Sequence, residues 1–327
     1  MPTKLERSTL VTVFGGSGFV GRYTVRALAK RGCRVRAAVR RPDLAGHLQP
    51  MGGVGQIHPV QANIRYPDSV RATLEGADIA INLVAVLAST GKQTFDALHV
   101  KGARAVAKAA REAGVRRLVH MSAIGADPKA KSSYARSKGL GEQAVLEEYP
   151  DAVILRPSII FGIEDDFYNR FAGMTQTAPF LPLIGGGRTK FQPIYVGDVA
   201  DAIVAACEGQ AEPGAAYELG GPEIKSFRNV LDDVKEWTGR NPTYLPVPFF
   251  MATLMAALTA PLPNALRPLT VDQVRMLRSD NVVSESAKTH GHTLQGLGID
   301  HPQATGVIVP SYLERFRTHG QYSHYRG

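Results

Sequence analysis

Gly15, Gly18 and Gly21 are spaced G-x-x-G-x-x-G within Gly15-Gly16-Ser17-Gly18-Phe19-Val20-Gly21. Between a strand and a helix, such glycines let the backbone turn tightly and approach a pyrophosphate. The helix N-terminus then offers it free N–H groups and a partial positive charge. Glycine spacing alone also suits a mere tight turn. Its place on the first strand of a strand–helix series points to a dinucleotide. Tyr134 and Lys138 form Y-x-x-x-K. Four residues apart at the start of a helix, they share one face. An ammonium near a phenol lowers its pKa, so Tyr134 is a candidate acid and base at neutral pH, and Lys138 can hold nicotinamide ribose hydroxyls. Ser122, at the end of the preceding apolar run, is the third candidate catalytic residue.

The end of the second strand chooses between cofactors. NAD-selective sites carry an acid there for the ribose 2′-hydroxyl. This chain has Arg40 and Arg41 after Ala37-Ala38-Val39. Guanidinium groups pair with a 2′-phosphate, so NADP(H) is the expected cofactor and NAD(H) the alternative. The competing reading is two surface arginines. Asp43, beyond Pro42, lies too far along to bind the ribose. Asn63-Ile64 and Leu83-Val84-Ala85 end the third and fourth strands and are expected to line the adenine and nicotinamide, because such sheets bind ligands at the carboxyl ends of their strands.

The elements that must position these residues alternate. Strands are expected at Thr9–Phe14, Arg34–Val39, Gln56–Gln61, Ile79–Val86, Arg117–Ser122 and Ala152–Leu155. Helices are expected at Val20–Arg31, Asp68–Leu74, Phe95–Ala113 and Tyr134–Glu148. This rhythm predicts an α/β chain with a Rossmann-type, doubly wound parallel sheet. Residues 1–160 form the expected dinucleotide-binding domain. After Phe161 the rhythm breaks amid Pro179, Pro182, Gly185 to Gly187 and Pro193, so 161–327 is expected as a smaller irregular lobe for substrate or partner. It partly returns to the sheet through Asp198–Cys207 and Tyr217–Leu219. Phe249–Ala260 is almost wholly apolar before Pro261 and Pro263. A buried helix is the favoured reading and a docking face for a membrane surface or another subunit the other.

Bulk properties narrow the classes. A chain of 327 residues, 44% apolar, can bury a substantial core. The net charge of +9, with a basic tail around Arg315, Arg317 and Arg326, favours an acidic partner such as a nucleotide, anionic lipid or acidic protein face. No aromatic-interleaved basic motif accompanies it, so no nucleic acid is expected. Cys33 and Cys207 lack metal-like spacing and read as reduced core thiols. Met1–Ser8 is short and polar, so no leader is expected, and no apolar run is long enough to span a bilayer. No metal site is expected. His290 and His292 lack flanking carboxylates, Asp165 and Asp166 suit a turn or helix cap, and Gly185–Gly187 lacks the Lys-Ser/Thr of a phosphate loop.

Taken together the residues resemble the short-chain dehydrogenase/reductase superfamily, in its extended or atypical branch, over nearly the whole chain. The resemblance is carried by the glycine turn, His99-Val100-Lys101-Gly102, Ser122, Tyr134 with Lys138, Arg156-Pro157-Ser158, and Tyr195-Val196-Gly197-Asp198-Val199-Ala200. Within it the chain resembles the NAD(P)H-binding accessory subunit family of respiratory complex I and its bacterial relatives. The phrases that carry this are Gly18-Phe19-Val20-Gly21-Arg22-Tyr23, Leu155 to Ser158 with Asp165-Asp166-Phe167, Leu183 to Gly187, and Leu269-Thr270-Val271-Asp272-Gln273-Val274. The resemblance implies Pro157, Ser158 and Ile159 beside the cofactor, and an NADPH with a structural or regulatory role among complex I subunits. It also implies a cytoplasmic location, peripheral on the inner face of the inner membrane, or on the matrix side in a mitochondrion. The alternative is an active NADP-dependent reductase or epimerase for a small hydrophobic or quinone-related substrate that the sequence does not identify. Two positions depart from the extended pattern: His99 stands for the usual asparagine, and Ala123 and Ile124 stand where the catalytic serine commonly lies.

Overall fold

A computed structural model describes residues 5–259 and 269–317. Ala260, Pro261, Pro263 and Arg326 of the sequence reading lie outside the described residues. In chain order the elements begin with β1 (Leu10–Phe14), α1 (Phe19–Lys30), β2 (Arg34–Val39), β3 (Ile57–Gln61), α2 (Pro67–Leu74) and β4 (Ile79–Asn82). A π-helical segment, Asp96–Gly102, leads into α3 (Ala103–Glu112), and β5 (Arg117–Met121), α4 (Ser133–Glu148) and β6 (Val153–Pro157) follow. Next come β7 (Ile160–Phe161), α5 (Tyr168–Thr177), β8 (Phe180–Ile184), β9 (Lys190–Phe191), β10 (Ile194–Tyr195), α6 (Val196–Cys207) and β11 (Ala216–Leu219). The remainder holds β12 (Lys225–Ser226), α7 (Phe227–Thr238), β13 (Thr243–Val247), α8 (Phe249–Leu258), α9 (Val271–Met276), α10 (Glu285–Thr289) and α11 (Thr305–Leu313).

The chain divides into two interleaved units. The first comprises residues up to Pro157 together with Val196–Leu219 and Val283–Asp300. Its sheet has seven strands in the order β11-β6-β5-β4-β1-β2-β3, every pair parallel. This is the expected doubly wound sheet. β1 and β4 run deep in it, and their side chains are almost all buried. Such strands read as continuous apolar runs rather than alternating ones. α1 packs with α6, while α3 packs with both α2 and α4, so the sheet is covered on both faces. The strand order reverses between β1 and β4, and a sheet of this kind opens its ligand crevice at that point.

Two elements depart from expectation. The apolar run 79–86 leaves the sheet at Asn82, whose Oδ1 accepts the N–H of Val84 at 3.2 Å and turns the chain outward. The long helix at 95–113 is not uniform either: Asp96–Gly102 is wound as a π-helix, a form concentrated at functional sites.

The second unit comprises Ser158–Tyr195, Gly220–Val282 and the residues from His301 onward. It holds three two-stranded ribbons, β7 with β10, β8 with β13 and β9 with β12. Its core is strongly aromatic, with Phe167, Phe171, Phe191 and Phe227 meeting edge to face. Asp165 is buried here and accepts from the N–H groups of Gly162 and Asn169 and from the Tyr312 hydroxyl, as a turn and cap residue.

The favoured reading of 249–260 as a buried helix is corrected. α8 buries only Ala252 and Ala256, and Phe250, Leu254 and Leu258 are 70%, 57% and 72% exposed. Composition cannot distinguish a helix buried all round from one packed along a narrow seam of alanines.

Candidate dinucleotide site

The turn after β1 is shaped by two glycines. Gly15 has φ +82°, a left-handed conformation that glycine adopts without steric penalty, and its N–H donates to Ala38 O at 3.0 Å. At Gly21 a Cβ would lie 2.1 Å from the Gly15 carbonyl oxygen. Glycine there lets α1 press its first turn onto the loop. Gly18 is the N-cap of α1, which has no side-chain cap and no acid in its first turn. Its first N–H groups therefore face the cleft without competition from the helix's own side chains.

That cleft has a volume of about 220 Å³. Among the candidate cofactor residues, Gly15, Ser17, Gly18, Arg40, Asn63, Ile64, Leu83, Val84 and Ala85 line it. Gly16, Phe19, Val20 and Gly21 lie behind this lining as the turn and helix that support it. Four strand ends, those of β1 to β4, thus converge on one groove. A pyrophosphate and two nucleoside arms fit this donor set: a cradle that a Cβ would fill, an uncapped helix start, and a cation at the end of β2.

The two arginines separate. Arg40 lines the cleft, with Nη1 donating to Gln93 Oε1 at 2.6 Å. Arg41 is absent from the lining and forms an ion pair with Asp43 at 2.8 Å. Their hydrogen bond holds the Asp43 carboxyl below its ordinary range. Of the two arginines expected at the cofactor, Arg40 thus faces the cleft, and the Asp43 carboxylate holds the Arg41 guanidinium outside its lining. Sequence reasoning missed Arg65 and Gln93, which line the cleft. Arg65 was readable as the next polar residue past Asn63-Ile64. Gln93 carries no sequence signal, since it arrives from a loop.

Tyr134, Lys138 and Ser122 lie outside the cleft lining, and His99 links the Tyr134 helix to it. The Val86 N–H, in the lining, donates to His99 Nε2 at 3.0 Å. His99 Nδ1 lies 2.8 Å from Ser137 Oγ, and Ser137 Oγ donates to Tyr134 O at 2.7 Å. With the serine proton committed, Nδ1 carries the hydrogen and the ring is neutral, an assignment made from this network. Burial, reinforced by Lys138, pushes the His99 pKa down to about 3, in agreement with a neutral ring. His99 also meets Tyr134 edge to face at 5.6 Å and stacks on Phe95 at 5.4 Å. The π-helical segment brings the His99 carbonyl against α4, where a Cβ on Gly141 would come within 2.2 Å of it.

Lys138 is buried, and its Nζ donates to Met121 O at 2.8 Å. Burial lowers its pKa to about 8, opposed by Glu142. The Tyr134 phenol is pushed up to about 12 by burial. The lysine-lowered phenol inferred from spacing is not what the surroundings give: burial acts on the phenol and disfavours its charged form. Ser122 is buried, with its N–H on Leu155 O at 2.7 Å and no partner for its Oγ. Pro157 ends β6, where its carbonyl accepts from Ile124 N–H at 3.0 Å. Ser158 and Ile159 belong to the second unit. There Ser158 Oγ lies 2.7 Å from Asn281 Oδ1 and accepts from Gln192 N–H at 3.3 Å.

His292 pairs with Glu212 at 3.3 Å, and His290 lies against Ser286 O. Cys33 and Cys207 are buried free thiols, and burial raises Cys33 to about 11. No helix among the described residues is long and apolar enough to cross a membrane.

Comparison with known proteins agrees with this geometry. The model of the NAD dependent epimerase/dehydratase family matches residues 11–220. NADH dehydrogenase (ubiquinone) 1 alpha subcomplex subunit 9, mitochondrial, of Arabidopsis thaliana is 38% identical over 293 residues, covering 85% of this chain and 72% of that protein. The Mus musculus protein of the same name is 33% identical over 317 residues, covering 96% and 81%. The solved NADPH-dependent quinone oxidoreductase QOR2 of Escherichia coli, complexed with NADPH, shares the fold at 20% identity. Its TM-score is 0.71, covering 93% of this chain and 99% of that one. The chain therefore belongs to the NAD(P)-binding epimerase/dehydratase family, short-chain-reductase-like proteins that include these complex I subunits.

Proposed function

We propose that the protein holds NADP(H), in preference to NAD(H), as a structural or regulatory dinucleotide in an accessory or assembly component of respiratory complex I. The observation that carries the cofactor preference is Arg40, a guanidinium facing the cleft where an NAD-selective site would carry an acid. The accessory role is supported by the relatives named as complex I subunits. The dinucleotide, when bound, supplies hydride chemistry. The residues lining the cleft bind and orient it: the glycine turn and α1 at the pyrophosphate, and Asn63-Ile64 and Leu83 to Ala85 at its two arms. Peripheral attachment on the inner face of the inner membrane, or its matrix side, belongs to the same reading. The exposed apolar face of α8, with the Arg278 guanidinium 5.4 Å from the Phe249 ring, suits an anionic lipid surface there.

The protein purified from its own membranes is expected to bring NADP(H) with it and to comigrate with complex I. Recovery of NAD(H) alone overturns the cofactor preference. Absence of other complex I subunits from the purified material overturns the accessory role.

The intact Tyr134–Lys138 pair favours a second reading, an active NADP-dependent reductase or epimerase of a small hydrophobic or quinone-related substrate. On that reading Tyr134→Phe abolishes quinone-dependent NADPH oxidation in a stopped assay at 340 nm. Turnover equal to wild type removes Tyr134 from any mechanism.

A further inference from the structure

We propose that Arg65 completes the site for the adenosine 2′-phosphate, so that Arg40 and Arg65 together decide the preference for NADP(H). The inference rests on the NADP(H) reading above and adds the second cation.

β2 and β3 are neighbours, with Val39 opposite Gln61. Arg40 leaves the end of β2 and Arg65 lies just past the end of β3, and both line the same cleft of about 220 Å³. The hydrogen-bond partners of each are neutral, and the Arg65 guanidinium also lies 5.6 Å from the centre of the Tyr66 ring. Arg40 donates through Nη1 to the Gln93 amide oxygen at 2.6 Å. Arg65 donates through Nε to Asn63 Oδ1 and through Nη1 to Lys92 O, each at 3.3 Å. Among the described residues no carboxylate pairs with either. Arg41, one residue away, shows the contrast, because Asp43 neutralises it at 2.8 Å.

Amide and carbonyl oxygens orient a guanidinium without cancelling its charge. Two uncompensated guanidinium groups facing one groove repel each other and are stabilised by a ligand that is both dianionic and rich in acceptor oxygens. A phosphate monoester on the ribose has this chemistry, and the 2′-hydroxyl of NAD(H) does not. Gln93 and Lys92 come from the loop between β4 and the π-helical segment. That loop therefore sets the direction of both arginines from one side and acts as a positioning wall.

The test is titration calorimetry of the full chain with NADPH, NADH and 2′,5′-ADP, in wild type, Arg40→Gln and Arg65→Gln. Loss of one charge-assisted contact predicts weaker binding of NADPH and 2′,5′-ADP to Arg65→Gln by about tenfold or more. NADH affinity is expected to stay near wild type. Arg65→Lys, which keeps the charge but not the fork, is expected to retain part of the preference. Thermal unfolding of each variant separates a folding defect from a binding one. Equal weakening of NADPH and NADH by Arg65→Gln assigns Arg65 to the adenine ring and overturns the inference. If Arg40→Gln loses the preference and Arg65→Gln keeps it, the inference fails while the NADP(H) reading stands. A wild-type protein without preference overturns both.

Discussion

Gly21→Ala is expected to raise the Kd for NADPH by roughly a hundredfold, a loss of about 2.7 kcal/mol, and to lower the melting temperature. Helix propensity argues for the opposite sign, since alanine in a helix interior is favoured over glycine by about 1 kcal/mol. Geometry decides the outcome. A Cβ at residue 21 would sit 2.1 Å from the Gly15 carbonyl oxygen and 2.7 Å from the Gly16 carbonyl carbon. Neither atom is the end of a flexible side chain, so α1 must lift from the loop by more than an ångström. The lift moves the uncapped N–H groups away from the pyrophosphate position and loosens the turn that Gly15 and Gly18 close with a 3.0 Å hydrogen bond. Circular dichroism melts and NADPH titration check both effects. A variant as stable as wild type with unchanged affinity would falsify this account of the turn.

Acid is expected to weaken the first unit well above the carboxylate range. His99 and His120 are both buried, and burial, with Lys138 adding repulsion, lowers each to about 3. An exposed histidine in the unfolded chain titrates near 6.5. Between those values the unfolded chain binds a proton that the folded protein refuses, so stability is complete above about pH 6.5 and falls as the pH drops toward 3. At pH 5 each ring accounts for about 2 kcal/mol, together a large part of the 5–15 kcal/mol typical of a domain. The hydrogen bonds explain the refusal. Val86 N–H already donates to His99 Nε2. Asn82 Nδ2, oriented by its Oδ1 accepting from Val84, donates to His120 Nδ1 at 3.2 Å. A proton on either nitrogen would set two donors against each other. Denaturant titrations between pH 7.5 and 4.5 are expected to show this decline, reduced in His120→Asn. A His120→Asn profile superimposable on wild type would remove that ring from the effect.

Much of the first unit was legible because its signals are local. The spacing of Gly15, Gly18 and Gly21 expresses a backbone requirement within seven residues. The apolar runs of β1 and β4 report burial on both faces of a parallel sheet. Arg40 at the end of β2 could be placed by counting along one strand. What escaped the reading depends on neighbours distant in sequence. Arg41 looks equivalent to Arg40 until Asp43 turns back to meet it. Tyr134 and Lys138 have the spacing for an activated phenol, but burial, which spacing does not contain, raises the phenol's pKa. α8 has the composition of a core helix, yet only its alanines find a packing surface.

The same division runs through the candidate site. The order of residues by itself determined a doubly wound sheet, a glycine turn for a dinucleotide and a basic residue at the selecting strand end. Each follows from steric and hydrogen-bonding rules that act over one turn or one strand. Only the tertiary structure decided which cations face the cleft and that His99 ties Val86 to the helix of Tyr134. It also decided that Ser122 is left with an unpartnered hydroxyl and α8 with an uncovered face. These outcomes depend on burial and on partners brought together by folding. Desolvation and charge pairing are properties of three-dimensional surroundings, and linear spacing does not encode them.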